Sequence, residues 1–348
     1  TTNNIFIQNA QLEVSDFGAT PYIPTTSAAV SVGPVSGLPR LDYSGGATCP
    51  SLLLEPQRTN IAVYSESFDN ASWELGGAAS ISTNTSETLD PSGYYGADKL
   101  TANGSGQLYV RRNVYLGTAQ TCSNSVYAKK ANHRYVGLRN SGTTSQHDVF
   151  DFDTKTWTNN SGATLSYQEL PNGWFRLMSV NTDAVNLNYY WSVIPAKNTS
   201  GEESQSVSNL SVYIWGAQAE QNASYPSSYI NTLSAAVTRG QELCSKTGIS
   251  SLLGQSEGTG FIEVDIQRSQ DTRLPFLIGS ANPATSTSEA YLYINGGNNL
   301  IFEFVAAGVP QCSISSGTAT TGVQKLAFAY KNNDFVFYKN GVQVGVDT

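Results

Sequence analysis

Between residues 61 and 232 the sequence moves through one short alternating run after another, each closed by a turn cluster. No 3.6-residue period lasts long enough to compete as a helix. The expected strands are Gln107–Leu116, Ser123–Lys129, Tyr135–Arg139, His147–Phe152, Trp174–Val180, Leu187–Ile194 and Leu210–Gln218. They are rich in Val, Tyr, Phe and Trp and are separated by turns such as Asp90-Pro91-Ser92-Gly93 and Pro171-Asn172-Gly173. Leu187, Tyr189, Trp191 and Val193 share one face of their strand, and Asn188, Tyr190 and Ser192 share the other. This pattern predicts an all-β fold of antiparallel β-sandwich (jelly-roll) modules, with Trp174, Trp191 and Trp215 in cores and Trp73 at an edge.

The chain is long enough for two or three such modules, at 348 residues. A third block predicts strands at Phe261–Gln267, Phe276–Gly279, Ala290–Ile294, Leu300–Val305, Lys325–Tyr330 and Asp334–Tyr338. Its last two strands are joined by the polar turn Lys331-Asn332-Asn333-Asp334, and Asn340-Gly341 marks another turn. The sequence stops seven residues after that turn, so this sandwich is expected to be incomplete.

An internal repeat sets the remaining boundaries. Residues 5–33 align without a gap on residues 212–240, with 12 of 29 positions identical, including Ala10-Gln11 on Ala217-Gln218, Tyr22-Ile23 on Tyr229-Ile230 and Ser27–Val30 on Ser234–Val237. The second copy closes a long β-rich stretch, so the first is expected to be the closing strand and tail of a truncated upstream module. The expected organisation is that tail over 1–33, a connecting segment over 34–60, a sandwich over 61–240, a linker over 241–257 and a second sandwich over 258–348.

Composition narrows the functions open to the chain. Charged residues are 13% of the total, about half the usual share, and 19 basic against 27 acidic residues leave a net charge of −8. An acidic surface is unsuited to nucleic acid, and no apolar run is long enough to insert in a membrane. The only histidines are His133 and His147, which leaves little raw material for general-base or metal chemistry. With Asp148, Asp151 and Asp153 they are expected to form a strand-and-turn segment whose polar groups face water. No cofactor is expected. A structural calcium ion held partly by backbone carbonyls stays open, because such a site leaves almost no linear trace. Cys49, Cys122, Cys244 and Cys312 are far apart, which fits isolated buried thiols or one long-range disulfide. Gly254-Gln255-Ser256-Glu257-Gly258 matches the nucleophile-elbow spacing, but no histidine follows and a strand comes next, so it reads as a linker. No enzyme is expected within the chain.

The candidate ligand-binding residues are Tyr109, Arg111, Tyr115 and Tyr190. The first three alternate along one strand, and Tyr190 shares the polar face of another, so they would offer rings and hydrogen-bonding groups to a sugar. The alternative is that these tyrosines fill subunit contacts.

The run Leu52-Leu53-Leu54-Glu55-Pro56-Gln57-Arg58-Thr59-Asn60, then Tyr64–Phe68 and Asn70–Trp73, resembles a module of bacteriophage and prophage virion proteins. Pro39–Ser44, the strand Val212–Glu220 and the tail Tyr229–Thr232 resemble the same family. Leu326–Tyr330 and Phe337–Val342 are similar to concanavalin A-like, laminin-G-type sandwiches. The resemblance implies a virion structural protein, a fibre or appendage with carbohydrate-binding-like jelly rolls. It would be a homo-oligomer, most simply a trimer, in contact with other virion proteins and adhering to cell-surface polysaccharide. The alternatives are the non-catalytic region of a secreted bacterial polysaccharide-degrading enzyme or adhesin, and a purely structural component that binds no glycan.

Overall fold

The structure, a computed structural model, describes residues 40–42, 51–115, 118–141, 146–183, 188–254, 256–266, 276–279 and 289–348. The first repeat copy lies outside these residues, as does Cys49. The chain divides into two compact units, Thr1–Cys244 and Ser245–Thr348. Among the described residues the regular elements are strands and two short 3-10 turns, and the sandwich class read from the alternation is the observed one.

The first unit is built on two antiparallel six-stranded sheets. One contains β4 (Glu74–Leu75), β7 (Val110–Tyr115), β9 (Tyr135–Ser141), β10 (Asp148–Asp151), β11 (Thr156–Thr158) and β14 (Asn188–Ile194), in the order β11-β10-β9-β14-β7-β4. The other contains β5 (Ala79–Ser82), β6 (Asp98–Gln107), β8 (Gln120–Lys130), β12 (Thr164–Glu169), β13 (Trp174–Asp183) and β15 (Ser204–Gln221), in the order β12-β13-β8-β15-β6-β5. The inward rows are apolar: Val136, Leu138, Val110, Trp191 and Val193 from the first sheet meet Leu100, Val126, Ala128, Leu177, Val212 and Ile214 from the second. Alternation produces this core directly, since period-2 side chains put one apolar row on one face.

Three expectations need correction. The expected strand Gln107–Leu116 is broken at Leu108-Tyr109, where the chain leaves the second sheet for the first. Trp73 is buried in the core, its ring 5.0 Å from those of both Phe68 and Trp191, because the turn before β4 folds inward over the sheet. His147, Asp148 and Asp151 do not face water. Phe150 of β10 enters the main core and Val149 enters a second cluster on the opposite face, so this strand is covered on both sides. Trp174, Trp191 and Trp215 are buried as expected.

The long β15 keeps its pattern only through an irregularity. Ile214 and Ala217, three residues apart, both face the core, which strict alternation forbids. The register on β8 slips between Trp215 and Gln218, around Gly216 at φ 62°, and the extra residue resets the parity so that Ala217 and Ala219 point inward.

The segments around 51–60 and 217–242 are knitted into this unit by a buried polar clasp. β3 (Arg58–Asn60) pairs with β16 (Val237–Arg239). Fully buried Asn60 donates to the carbonyls of Ala217 (3.0 Å) and Ile230 (2.7 Å) and accepts from the amides of Ala62 and Ala219 (3.0 Å each). All four hydrogen-bonding sites of its amide are thereby used. Glu55 is paired with Arg40 and Arg239 and accepts from the Ser228 amide at 2.8 Å. Burial alone would raise its pKa, but these partners hold the carboxyl below the ordinary range. The Glu55 amide donates to the Glu242 carboxylate at 2.8 Å and the Glu242 amide donates to the Glu55 carbonyl at 3.0 Å, and Arg40 pairs with Glu242 as well. A short strand pair, β1 (Leu41–Asp42) with β2 (Ser51–Leu52), lies beside this clasp in sequence.

The second unit packs two four-stranded antiparallel sheets. One is β17 (Glu257–Ile266), β22 (Gly322–Lys331), β23 (Asp334–Lys339) and β24 (Val342–Asp347); the other is β18 (Phe276–Gly279), β19 (Glu289–Ile294), β20 (Asn299–Ala306) and β21 (Val309–Thr318). Phe302 stacks on Phe328 at 4.6 Å in a core with Leu292, Leu300, Leu326 and Phe337. Asn340 and Gly341, at φ 51° and 81°, form the two-residue turn expected between the last strands, both with the positive φ such turns require. The elbow-like motif has a packing explanation. A Cβ on Gly258 would fall 2.5 Å from the Tyr330 hydroxyl, and that hydroxyl donates to the Gly254 carbonyl at 2.7 Å. The two glycines frame one tyrosine, and β17 follows where an elbow needs a helix.

Replacing Asn60 by Ala strands two buried amides and two carbonyls. We expect Asn60→Ala to cost about 3–5 kcal/mol of the first unit's stability. All five tryptophans belong to that unit, so urea unfolding followed by tryptophan fluorescence reads it alone. A loss under about 1 kcal/mol would mean water replaces the side chain at no cost.

Candidate functional site

Strand pairing assembles the site on the outer face of the β11-to-β4 sheet. Ser192 of β14 lies opposite Arg139 of β9 on one side and Arg111 of β7 on the other, and Arg111 lies opposite Glu74 of β4. Facing residues of paired strands project from the same side, so one row across four strands reads Arg139, Ser192, Arg111, Glu74. Tyr190, two residues before Ser192, shares this face.

The side chains form an alternating ladder of cations and rings. The Arg139 guanidinium lies 4.8 Å from the centre of the Tyr190 ring and Arg111 lies 4.9 Å from it; Arg111 is also 4.1 Å from the Tyr109 ring. The two arginines come from the strands on either side of β14, and both reach the Tyr190 ring. Each contact is worth about 0.5–1 kcal/mol at a partly exposed position. Glu74 grips Arg111 with two hydrogen bonds, 3.0 Å from Nε and 2.8 Å from Nη2. One oxygen of Glu203 accepts from both Arg111 (3.4 Å) and Arg139 (3.2 Å). Two guanidiniums thus face two carboxylates, and the formal charges cancel.

The protonation states follow from burial and these partners. Burial, helped by the hydroxyl's hydrogen bond to Glu74 at 2.7 Å, pushes Tyr109 up to about 12. The Arg111 bond holds Glu74 below its ordinary value. Burial depresses Arg139, and the charge of Glu203 opposes that shift.

A strap running from Ala196 to Glu203 brings Glu203 over the sheet. His133 Nε2 lies 2.6 Å from the Ala196 carbonyl, the His147 amide donates to Gly201, Asn160 bridges the carbonyls of His147 and Thr199, and the Leu108 amide donates to Glu203. Gly201, at φ 65°, passes so close that a Cβ would sit 1.9 Å from the His147 carbonyl oxygen. The His147 ring is sealed beneath, with Nε2 2.6 Å from Ser192 Oγ and no partner at Nδ1. Burial first, and the nearby Arg139 charge second, push His147 down to about 3.

The structure therefore brings together Tyr109, Arg111 and Tyr190 of the candidate residues. The Tyr115 side chain lies outside the described residues. Tyr109 is only 1% exposed, so it supports Arg111 and does not meet solvent. Two guanidinium groups, at 4.9 and 4.8 Å from its centre, already engage the Tyr190 ring, so a pyranose would have to compete with them for it. Arg139, Glu74 and Glu203, residues that no motif or alternation in the sequence marks out, join the site. Arg139 becomes legible only once the register opposite Ser192 is known.

The two histidines are engaged separately, and Asp151 pairs with Arg134. Among the described residues no group of three or more His, Cys, Asp or Glu converges to hold a metal ion. Cys122 and Cys312 are buried, whereas Cys244 is exposed. No protein-family model matches the chain, and no curated protein matches it.

The native ring of His147 takes no proton between about pH 6.5 and about pH 3, whereas an unfolded chain would. Its contribution to stability is complete above about 6.5 and is lost progressively as the pH falls towards 3. In NMR titration the His147 ring signals should stay unshifted from about pH 8 to about pH 4. A midpoint near 6.5 would mean that the ring is open to water.

Proposed function

We propose that the chain is a non-catalytic structural protein of a bacteriophage particle. It is a fibre or appendage of β-sandwich modules of jelly-roll and concanavalin A-like type, assembled as a homo-oligomer, a trimer in the simplest case, that adheres to host surface polysaccharide. The observation that carries this reading is the clasp. Leu52–Asn60, Val212–Glu220 and Tyr229–Thr232, the segments in which the chain resembles virion modules, are distant in sequence yet pack on one another through Asn60 and Glu55. The resemblance thus falls on a set of residues that act together in folding.

The adhesive part of the reading rests on the outer-face ladder. Glu74, exposed and held by Arg111 over the Tyr109 ring, presents acceptor oxygens at the surface, as suits recognition of sugar hydroxyls. Repetition of such weak contacts in an oligomer multiplies them into firm attachment.

The test combines native mass by light scattering with binding to immobilised bacterial surface polysaccharides. We expect an oligomer that binds, and a variant carrying Arg111→Gln and Glu74→Gln that assembles normally but binds about tenfold more weakly. An oligomer that binds nothing would leave a structural component without adhesion. A monomer that binds would favour an accessory region of a secreted enzyme.

A further inference from the structure

In the ladder the Tyr190 ring is already engaged by two guanidinium groups. A different part of the first unit supplies ring faces. Tyr94 and Tyr95 are 51% and 59% exposed, and Leu89 close by in sequence is 41% exposed. Among the described residues neither tyrosine ring packs on another ring or a cation, and neither hydroxyl is hydrogen-bonded.

These side chains stand on a loop whose backbone is fixed. The Asp90 carboxylate accepts from the Ser92 amide (2.7 Å), the Ser92 hydroxyl (2.6 Å), the Tyr94 amide (3.2 Å) and the Gly96 amide (3.1 Å). The Asp90 amide donates to the Tyr94 carbonyl at 2.7 Å. The base of the loop is tied down as well: Thr85 donates to Ala97, Lys129 reaches the Thr88 hydroxyl, and the buried Trp174 indole donates to the Leu89 carbonyl at 2.8 Å. A loop so constrained holds large apolar groups in water with little backbone freedom left to lose on binding, the condition under which tyrosine makes an efficient contact residue.

We propose that the Tyr94-Tyr95 loop is a saccharide-binding site that takes the apolar face of a neutral pyranose. This rests on the adhesive reading of the chain and adds to it the stacking surface and the class of sugar. The footprint favours a sugar ring over a protein. Three side chains on one loop fall far short of the roughly 800 Å² per partner that a stable protein interface buries, whereas a pyranose needs one or two rings. The charges favour a neutral sugar. Asp90 lies within the loop and Glu87 at its base, Lys99 is paired with Glu87, and Lys129 at the base donates to Thr88, so the loop carries no excess of positive charge to attract a sugar carboxylate.

Affinity electrophoresis of the whole chain in native gels containing dextran, galactomannan, xylan or alginate tests the assignment. We expect retardation by at least one of the three neutral polymers and none by alginate, with the Tyr94→Ala/Tyr95→Ala variant bound about tenfold more weakly or not at all. Its tryptophan-monitored unfolding should match the parent, because both side chains are exposed. Equal retardation of parent and variant overturns the site, and preference for alginate overturns the ligand class. If Arg111→Gln abolishes retardation while the tyrosine variant keeps it, adhesion stands and the loop assignment falls. If none of the polymers retards the parent, both fall.

Discussion

A single buried carboxamide closes the first unit. Asn60 stands where the segment preceding the sandwich meets its last long strand, and it satisfies two carbonyls and two amides that neither sheet could reach. A buried polar group is tolerable only when its partners are complete. Asn60 has both donors and both acceptors in use, and Glu55 has cations or amides on its oxygens. The arrangement is demanding, since half of it would be worse than none. Residues 51–60 therefore form part of the unit's own wall. Gln218 and Glu220 extend the same logic, binding the backbone or hydroxyls of Ser227 and Ile230 from the outer side of β15.

The outer-face ladder and the exposed loop show two ways of using tyrosine in one sandwich. Tyr109 and Tyr190 are spent on holding arginines, and the arginines on holding carboxylates, which gives a neutral and stiff surface. Tyr94 and Tyr95 are held out by a backbone that an aspartate has organised. The difference does not lie in the residue type. It lies in whether a neighbouring strand supplies a guanidinium at the right register.

The architecture was largely legible in the sequence because alternation and turn residues act locally. What escaped has identifiable causes. Asp98–Gln107 and Val309–Thr318 are strands in which Gly, Ser, Asn, Thr and Gln outnumber the apolar residues that would have announced them; their pairing with richer neighbours overrides weak propensity. Trp73 sits in a turn, where no period says which way a side chain points. His147 and Asp148 read as polar and therefore solvated; the strap, some fifty residues on, covers His147, while the amides of Asn160 and Ser161 and the Ser161 hydroxyl close over the Asp148 carboxylate. Of the site, the alternation placed Arg111 and Tyr190 on polar faces of their strands. That those faces are one face, and that Arg139 completes it, is a statement about register, which no single strand contains.

The clasp also determines how this unit would carry load. β3 and β16 are antiparallel neighbours with Arg58 opposite Arg239, so the chain comes into the sandwich and goes out of it at the same place. Tension applied along the polypeptide would act at the Arg40–Glu55–Glu242 ion pairs and then peel β3 from β16 one bond at a time. The sheets themselves would feel none of it until that latch had failed.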